Sequence, residues 1–378
     1  MSISLSGGRS LLFATGGTGG HIYPALAIAK EATQRAYATA FLGQAGGMEA
    51  RILPAEGFSF HGVAAGKWDR QRPNPLQGVR AVQGLGQAVN VVRKLKPDLV
   101  VGFGGFASFP GLAAARLLGV PYLLHEGNAF PGRVTRLFAK GAARVAVTHA
   151  AAGERLGALE TIRLTGFPVR EQKVQKLEAR RRLGLPPEGT LTFVMGGSQG
   201  SLVLNEIVPE AFRRLASPTT VLHSTGRRWE AQVQNATLSF SSYFTSGFVD
   251  ATLAWSAADL AITRAGISTL SEAAFHGVPS IMVPLPSAAD NHQFYNARAV
   301  ETAGAGWLVE EAAEDTAKDT MIPALASAWQ NALVTERRQA AARAAVTLSP
   351  QGAARAFVDL IDEVLAPTPL FNGLRQEY

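Results

Sequence analysis

Leu11-Leu12-Phe13-Ala14-Thr15-Gly16-Gly17-Thr18-Gly19-Gly20-His21-Ile22-Tyr23-Pro24-Ala25-Leu26-Ala27-Ile28-Ala29-Lys30 is an apolar run, a glycine loop and a helical pattern in immediate succession. The run has the length and composition of a buried strand, the glycines supply a tight turn, and Pro24 to Lys30 reads as a helix. A strand that ends in glycines and turns into a helix aims bare backbone N–H groups and a positive dipole end at one point. Phosphate oxygens suit such a point. The same grammar returns half a chain later, where Leu191-Thr192-Phe193-Val194-Met195 leads into Gly196-Gly197-Ser198-Gln199-Gly200-Ser201 and a helical pattern near Leu204. Two such points predict two nucleotide-type halves facing one cleft.

Outward from these loops, strands are expected near 11–15, 39–43, 98–102, 121–124 and 144–147, then near 191–195, 220–223, 259–262 and 279–283, alternating with helical patterns. Alternation of this kind predicts an α/β fold of parallel sheets covered by helices, with ligands at the carboxyl ends of the strands. A length of 378 residues exceeds the usual single domain, and 47% hydrophobic residues are ample for two cores. The expected domains are 1–165 and 166–349. Between them Gly166-Phe167-Pro168-Val169-Arg170 serves as linker, followed by a charged helical stretch from Glu171 to Arg182. Ala353 to Leu365 reads as a last amphipathic helix, so that 350–378 crosses back onto the first domain, with Pro367 to Tyr378 irregular.

A formal charge of +7 favours anionic partners, nucleotide diphosphates or an anionic membrane face. The bases are scattered among acids, so no nucleic-acid partner is expected. The absence of cysteine excludes disulfides and thiolate metal sites. No D-x-D occurs, and the seven histidines show neither H-E-x-x-H nor a close pair, so neither a metal nor another cofactor is expected. The apolar run before the first glycines is too short for a signal peptide, and the chain is expected to stay inside the cell. Glycines and Pro110 interrupt the longest uncharged stretch, Leu99 to Ala115, so membrane contact should be peripheral.

The glycine loops differ from a dinucleotide site. The first reads GGTGGH rather than G-x-G-x-x-G, and the next strand ends in Gly43-Gln44 where an acid would hold a ribose, which disfavours hydride chemistry. A third glycine loop follows another strand at Gly102-Phe103-Gly104-Gly105-Phe106-Ala107-Ser108. In Thr263-Arg264-Ala265-Gly266-Ile267-Ser268-Thr269-Leu270-Ser271-Glu272, a strand turns into a helix whose Glu272 either accepts a pair of ribose hydroxyls or is an ordinary early-helix acid. Downstream, Asp290-Asn291-His292-Gln293-Phe294-Tyr295-Asn296 carries amides that both donate to and accept from sugar hydroxyls.

GGTGGH with PALA, GFGGFAS-P, HEGN, GFPVR, GGSQGS-LN, RAGISTLSE and DNHQ-YNA, in this order, resemble the MurG family of undecaprenyl-diphospho-muramoylpentapeptide β-N-acetylglucosaminyltransferases of peptidoglycan synthesis. The resemblance runs from about residue 11 to 310. It implies a GT-B fold, two Rossmann-like domains with a central cleft. UDP-N-acetylglucosamine is then the donor and lipid I the acceptor of an inverting transfer that makes a β-1,4 bond and lipid II. It places Ser198 and Gln199 near the donor diphosphate, Val249 at the uracil, Glu272 on the ribose, Ile267, Ser268, Thr269, Leu270 and Ser271 around the phosphates, and Gln293 and Asn296 on the sugar. Thr18, Gly19 and Gly20 face the acceptor diphosphate or the sugar, with Asn128 and Arg170 also in the donor site. It further implies the cytoplasmic face of the inner membrane, an anionic surface, and contacts with other cell-wall synthesis proteins.

Inversion needs a base on the attacking hydroxyl and stabilisation of the departing charge. His21 is one candidate base, its alternative being a helix-start histidine that bonds a neighbouring strand. Glu126 is the other, its alternative a buried structural carboxylate. Helix N-termini, with Arg170 or Arg264, would meet the leaving-group charge. For the membrane, Phe130, Arg133, Arg136, Leu137 and Lys140 form the favoured patch. The stripe Leu76, Val79, Val82, Leu85, Val89, Val92 and Leu95 reads as core more readily than as membrane contact. Three positions depart from the family pattern: Gly127 replaces the usual glutamine of H-E-Q-N, Phe167 the asparagine of G-N-P-V-R, and Phe106 a common tyrosine. A diacylglycerol transferase of the same fold, or a non-catalytic nucleotide-sugar-binding subunit, are the competing readings.

Overall fold

A computed structural model of the chain describes residues 8–66, 75–197, 199–311 and 317–367. The first lobe begins with β1 (Ser10–Ala14), α1 (Gly19–Gln34), β2 (Ala38–Gln44), α2 (Glu49–Ala55) and β3 (Ser59–Val63). It continues with α3 (Pro75–Leu95), β4 (Leu99–Gly102), α4 (Gly105–Leu118), β5 (Tyr122–Glu126), α5 (Arg133–Phe138), β6 (Arg144–Val147), α6 (Ala150–Arg155) and β7 (Ile162–Leu164). The second lobe runs through α7 (Lys176–Arg182), β8 (Leu191–Met195), α8 (Leu202–Phe212), β9 (Thr220–Ser224), α9 (Glu230–Thr237), β10 (Tyr243–Ser246) and α10 (Ala251–Ala257). It ends with β11 (Leu260–Thr263), α11 (Ile267–His276), β12 (Ser280–Met282), α12 (His292–Thr302), β13 (Gly306–Leu308), α13 (Ala317–Leu333) and α14 (Thr335–Leu348), before α15 (Ala353–Leu365).

Every pairing is parallel, in a seven-stranded sheet β3-β2-β1-β4-β5-β6-β7 and a six-stranded sheet β10-β9-β8-β11-β12-β13. In each sheet the order reverses beside the first strand, between β1 and β4 and between β8 and β11, so the chain opens a crevice at the carboxyl ends there. Both glycine loops sit at these crevices. The nine expected strands are present, and β3, β7, β10 and β13 are additional.

Two crossings join the lobes side by side. Gly166 takes φ +78, and a Cβ there would stand 2.9 Å from Pro350 on the returning strand of chain. The expected helix from Glu171 is shorter, Lys176–Arg182, because Glu171 instead accepts the Gly352 backbone N–H at 2.7 Å. Beyond this point α15 buries Phe357, Val358 and Ile361 in the first lobe's core beside Phe13, Phe41 and Phe103. Arg35, which caps the end of α1, holds Asp359 and Asp362 of α15 at 2.6 and 2.7 Å. Residues 368–378, most of the expected irregular tail, lie outside the described residues. The α3 stripe is core only at its C-terminal half. Val89 and Val92 are buried, whereas Val79 and Val82 are 65% and 74% exposed, because α4 covers only that end of the apolar face.

Candidate functional site

The first glycine loop closes over a buried carboxylate. Glu49, at the start of α2 and fully buried, accepts the backbone N–H of Gly17 at 3.3 Å and of Gln44 at 2.9 Å. A Cβ at Gly16 or Gly47 would overlap that carboxylate, and one at Gly43 would stand 2.9 Å from its Cγ. Three glycines therefore form the recess that Glu49 fills. The Gly17 N–H is thereby occupied, and the loop's reach for an anion lies with Thr18, Gly19 and Gly20 at the N-terminus of α1. Glu49 escaped the sequence analysis; Gly43, Gly46 and Gly47 just before it were the available signal.

His21 lies in the first turn of α1, half-buried, with Nδ1 3.1 Å from Thr18 Oγ1. Its ring packs on the third glycine loop, where a Cβ on Gly105 would stand 3.0 Å from Cε1. Loss of water pushes its pKa down to about 4, helped by His292 and opposed by a hydrogen bond to the Gly16 carbonyl. The ring is neutral at pH 7 and can accept a proton. His125 beside it is buried among Phe103, Phe167 and Phe357, and burial lowers it to about 3.

Glu126 ends β5 with both oxygens engaged. Oε1 accepts the Asn128 backbone N–H at 3.0 Å and its side-chain amide at 3.2 Å, while Oε2 accepts Gly132 N–H at 2.9 Å. Burial raises its pKa and these bonds oppose the rise. Asn128 then accepts from Asn296 Nδ2 at 3.1 Å, across the cleft, and Asn296 Oδ1 accepts Ala129 N–H at 2.9 Å. Asn296, expected on the sugar, is fully buried, and its amide also donates to Ala265 O at 3.2 Å. Glu126, Asn128 and Asn296 thus form a hydrogen-bonded clasp between the lobes.

In the second lobe, Gly200 and Gly226 lie back to back at φ +76 and +82, and a Cβ on Gly200 would overlap Thr225 O. Ser198 lies outside the described residues, and Gln199 is exposed in the turn. Ser201 caps α8 and accepts Arg264 Nε at 3.0 Å. Arg264 is 9% exposed and also bonds Glu311 and Val283 O, so its guanidinium is tied into the scaffold. Arg170 is exposed near Glu272. Within 267–271, Ile267, Leu270 and Ser271 are buried, and Leu270 N–H already bonds Gly266 O. Their side chains face the core, which leaves Ser268 and Thr269 at the cleft. Gln293 Oε1 accepts Ala265 and Leu285 N–H at 3.2 and 3.1 Å, which fixes its amide. Val249 is half-buried in the loop before α10. Glu272 accepts the Trp255 indole N–H at 3.1 Å; burial raises its pKa, and Trp255 and Arg170 oppose the rise.

The N-termini of α1 and α11 meet. A Cβ on Gly20 would stand 3.4 Å from Ser268 Oγ of the opposite lobe. Both N-termini are positive dipole ends, so an anion in reach of the two at once is stabilised by both. No group of acids and histidines that could hold a metal occurs among the described residues.

Part of the aromatic and basic segment 130–140 bonds the other lobe, while Leu137 and Lys140 stay exposed. Arg133 binds Asp290 at 2.8 Å and Arg136 binds it at 3.3 Å, while Phe130 stacks on Tyr295 at 4.8 Å. Two of the family departures turn out to be one packing event. A Cβ on Gly127 would stand 2.7 Å from the Phe167 ring, so the bulky residue in the linker requires the glycine in the loop.

Residues 11–147 match the glycosyltransferase family 28 N-terminal domain and residues 191–356 its C-terminal domain. The chain is 43% identical over 397 residues to a UDP-N-acetylglucosamine–N-acetylmuramyl-(pentapeptide) pyrophosphoryl-undecaprenol N-acetylglucosamine transferase of Deinococcus radiodurans, covering 95% of this chain and 97% of the relative. A Thermus thermophilus protein of the same name is 42% identical, covering 94% and 100%. Among solved structures, Acinetobacter baumannii MurG superposes with a TM-score of 0.77 at 28% identity, covering 94% of this chain and 99% of that one.

Proposed function

Since the chain belongs to the N-acetylmuramyl-(pentapeptide) pyrophosphoryl-undecaprenol N-acetylglucosamine transferases of glycosyltransferase family 28, we propose that it moves N-acetylglucosamine from UDP-N-acetylglucosamine to the 4-hydroxyl of lipid I, forming lipid II. The fold is GT-B. The observation that carries the reading is the meeting of α1 and α11 N-termini at Gly20 and Ser268, which makes one anion seat from both lobes. We assign 166–349 to the donor, and 1–165 with 350–378 to the acceptor and the membrane.

In the reaction, the acceptor oxygen bonds to C1 of the sugar from the face opposite UDP. The C1–O bond to the β-phosphate breaks, and the hydroxyl proton passes to His21. His21 is preferred to Glu126 because its neutral ring is only half-buried, whereas both Glu126 oxygens already hold the 128–132 loop. Diphosphates bound nearby raise the imidazole from about 4 toward neutrality, strengthening the base as substrates arrive. The departing diphosphate charge falls on the α11 N-terminus at Ser268 and Thr269, with Arg170 alongside. Glu272 takes the ribose, Val249 the uracil and Gln293 the sugar; Asn296 holds the lobes together.

Among the described residues no helix is long and apolar enough to cross a membrane. Exposed Val79 and Val82 beside exposed Arg80 on α3, and exposed Leu117 beside exposed Arg116 on α4, supply apolar and basic surface for peripheral docking on an anionic cytoplasmic leaflet. The purified single chain should release UDP from UDP-N-acetylglucosamine with a short-chain lipid I analogue and not with diacylglycerol. Release with diacylglycerol alone, or no turnover without a second subunit, would overturn the reading.

A further inference from the structure

We propose that Trp255 is a positioning residue for nucleotide recognition: its indole N–H fixes the Glu272 carboxylate with one oxygen held and the other turned to the ribose. The inference rests on the ribose role given to Glu272 above. Trp255 is 2% exposed on α10, and its ring stands edge-on to Phe193 of β8, with centroids 4.8 Å apart and planes at 83°. Asp250 sets the start of that helix by accepting Leu253 N–H at 3.0 Å, immediately after Val249. An indole has a single donor, and a buried one must find an acceptor. Here the acceptor is Glu272 Oε2, on α11, at 3.1 Å.

Trp255 thus ties three elements of the nucleotide pocket together: the loop beside the uracil, the carboxylate, and the strand that runs into the second glycine loop. A glutamate has several rotatable bonds, and fixing them before the ligand arrives removes an ordering cost from binding. The same N–H bond favours the ionised carboxylate, which a partly buried acid would otherwise resist.

The test compares UDP with 2′,3′-dideoxy-UDP by titration calorimetry on the full chain. Trp255→Phe keeps a ring on Phe193 and removes only the donor. It should weaken UDP about five- to tenfold, the size of one typical net hydrogen bond, and leave dideoxy-UDP within about twofold. KM for UDP-N-acetylglucosamine should rise while kcat is kept. On a Glu272→Ala background the Trp255→Phe change should add nothing, because Trp255 acts through that carboxylate. Equal weakening of both nucleotides, or of neither, would overturn the proposal. Should the variant fold poorly, the wild-type Trp255 indole 15N–H resonance decides: it should shift with UDP and not with dideoxy-UDP, and a resonance indifferent to both overturns the proposal. If Glu272→Ala alone bound UDP normally, the ribose role itself would fall.

Discussion

The two glycine loops share a sequence signature and owe it to different physics. In the first lobe, Gly16, Gly43 and Gly47 make room for a side chain, the buried Glu49 carboxylate, which takes the Gly17 N–H. In the second, Gly200 and Gly226 make room for backbone, so that the loop can lie against Thr225 at the end of β9. A negative charge beneath the first loop leaves its helix end to attract an anion. The lesson is that a glycine run marks close approach, and only the neighbouring atoms say what approaches.

The largest expected effect separates chemistry from binding. His21→Ala should lower kcat by about 10² to 10⁴-fold, the range of a general base, with UDP affinity kept; stopped-flow UDP release and calorimetry read both. Next, the two loops can be broken independently. Glu49→Ala leaves two buried N–H groups unsatisfied, costs about 2–4 kcal/mol of stability, and should impair turnover while sparing UDP binding. Gly200→Ala, forced against Thr225 O at a positive φ, should do the reverse. If both variants lost UDP equally, the division of labour between lobes would be wrong.

A smaller effect concerns the paired departures. Gly127→Gln should lower stability by about 1–3 kcal/mol through overlap with Phe167, and adding Phe167→Asn should recover part of it in a denaturant melt. Strict additivity would show that the two positions do not touch. The last effect is graded. His21, His125 and His223 fold neutral, held at about 4, 3 and 3 against an ordinary 6.5. Below pH 6.5 the unfolded chain binds protons that the folded chain refuses, so stability is complete above that value and declines toward pH 4 and below. Midpoint temperatures between pH 7 and 4.5 should fall steadily; a flat profile would mean these rings are hydrated.

The strand-loop-helix units were legible because a buried parallel strand is a continuous apolar run and its loop is glycine-rich. The four strands that escaped, β3, β7, β10 and β13, are the edges of the two sheets. One of their sides lacks a partner, so Ser59-Phe60-His61-Gly62-Val63 and Ile162-Arg163-Leu164 carry polar residues that mask the apolar signal. At the site, His21 and Glu272 were legible as titratable groups beside loops. Glu49 and Trp255 were not, because their importance lies in contacts 32 and 17 residues distant. The lobe contacts of the segment 130–140 were hidden for a related reason: Asp290, the partner of Arg133 and Arg136, is 157 and 154 residues away.

The central claim is the anion seat shared by α1 and α11. A crystal structure with UDP-N-acetylglucosamine and a short-chain lipid I analogue tests it most directly. The account predicts a diphosphate in reach of both the Gly19-Gly20 turn and Ser268-Thr269, with the sugar C1 facing His21. A diphosphate bound away from both helix ends, with water between Gly20 and Ser268, would contradict it.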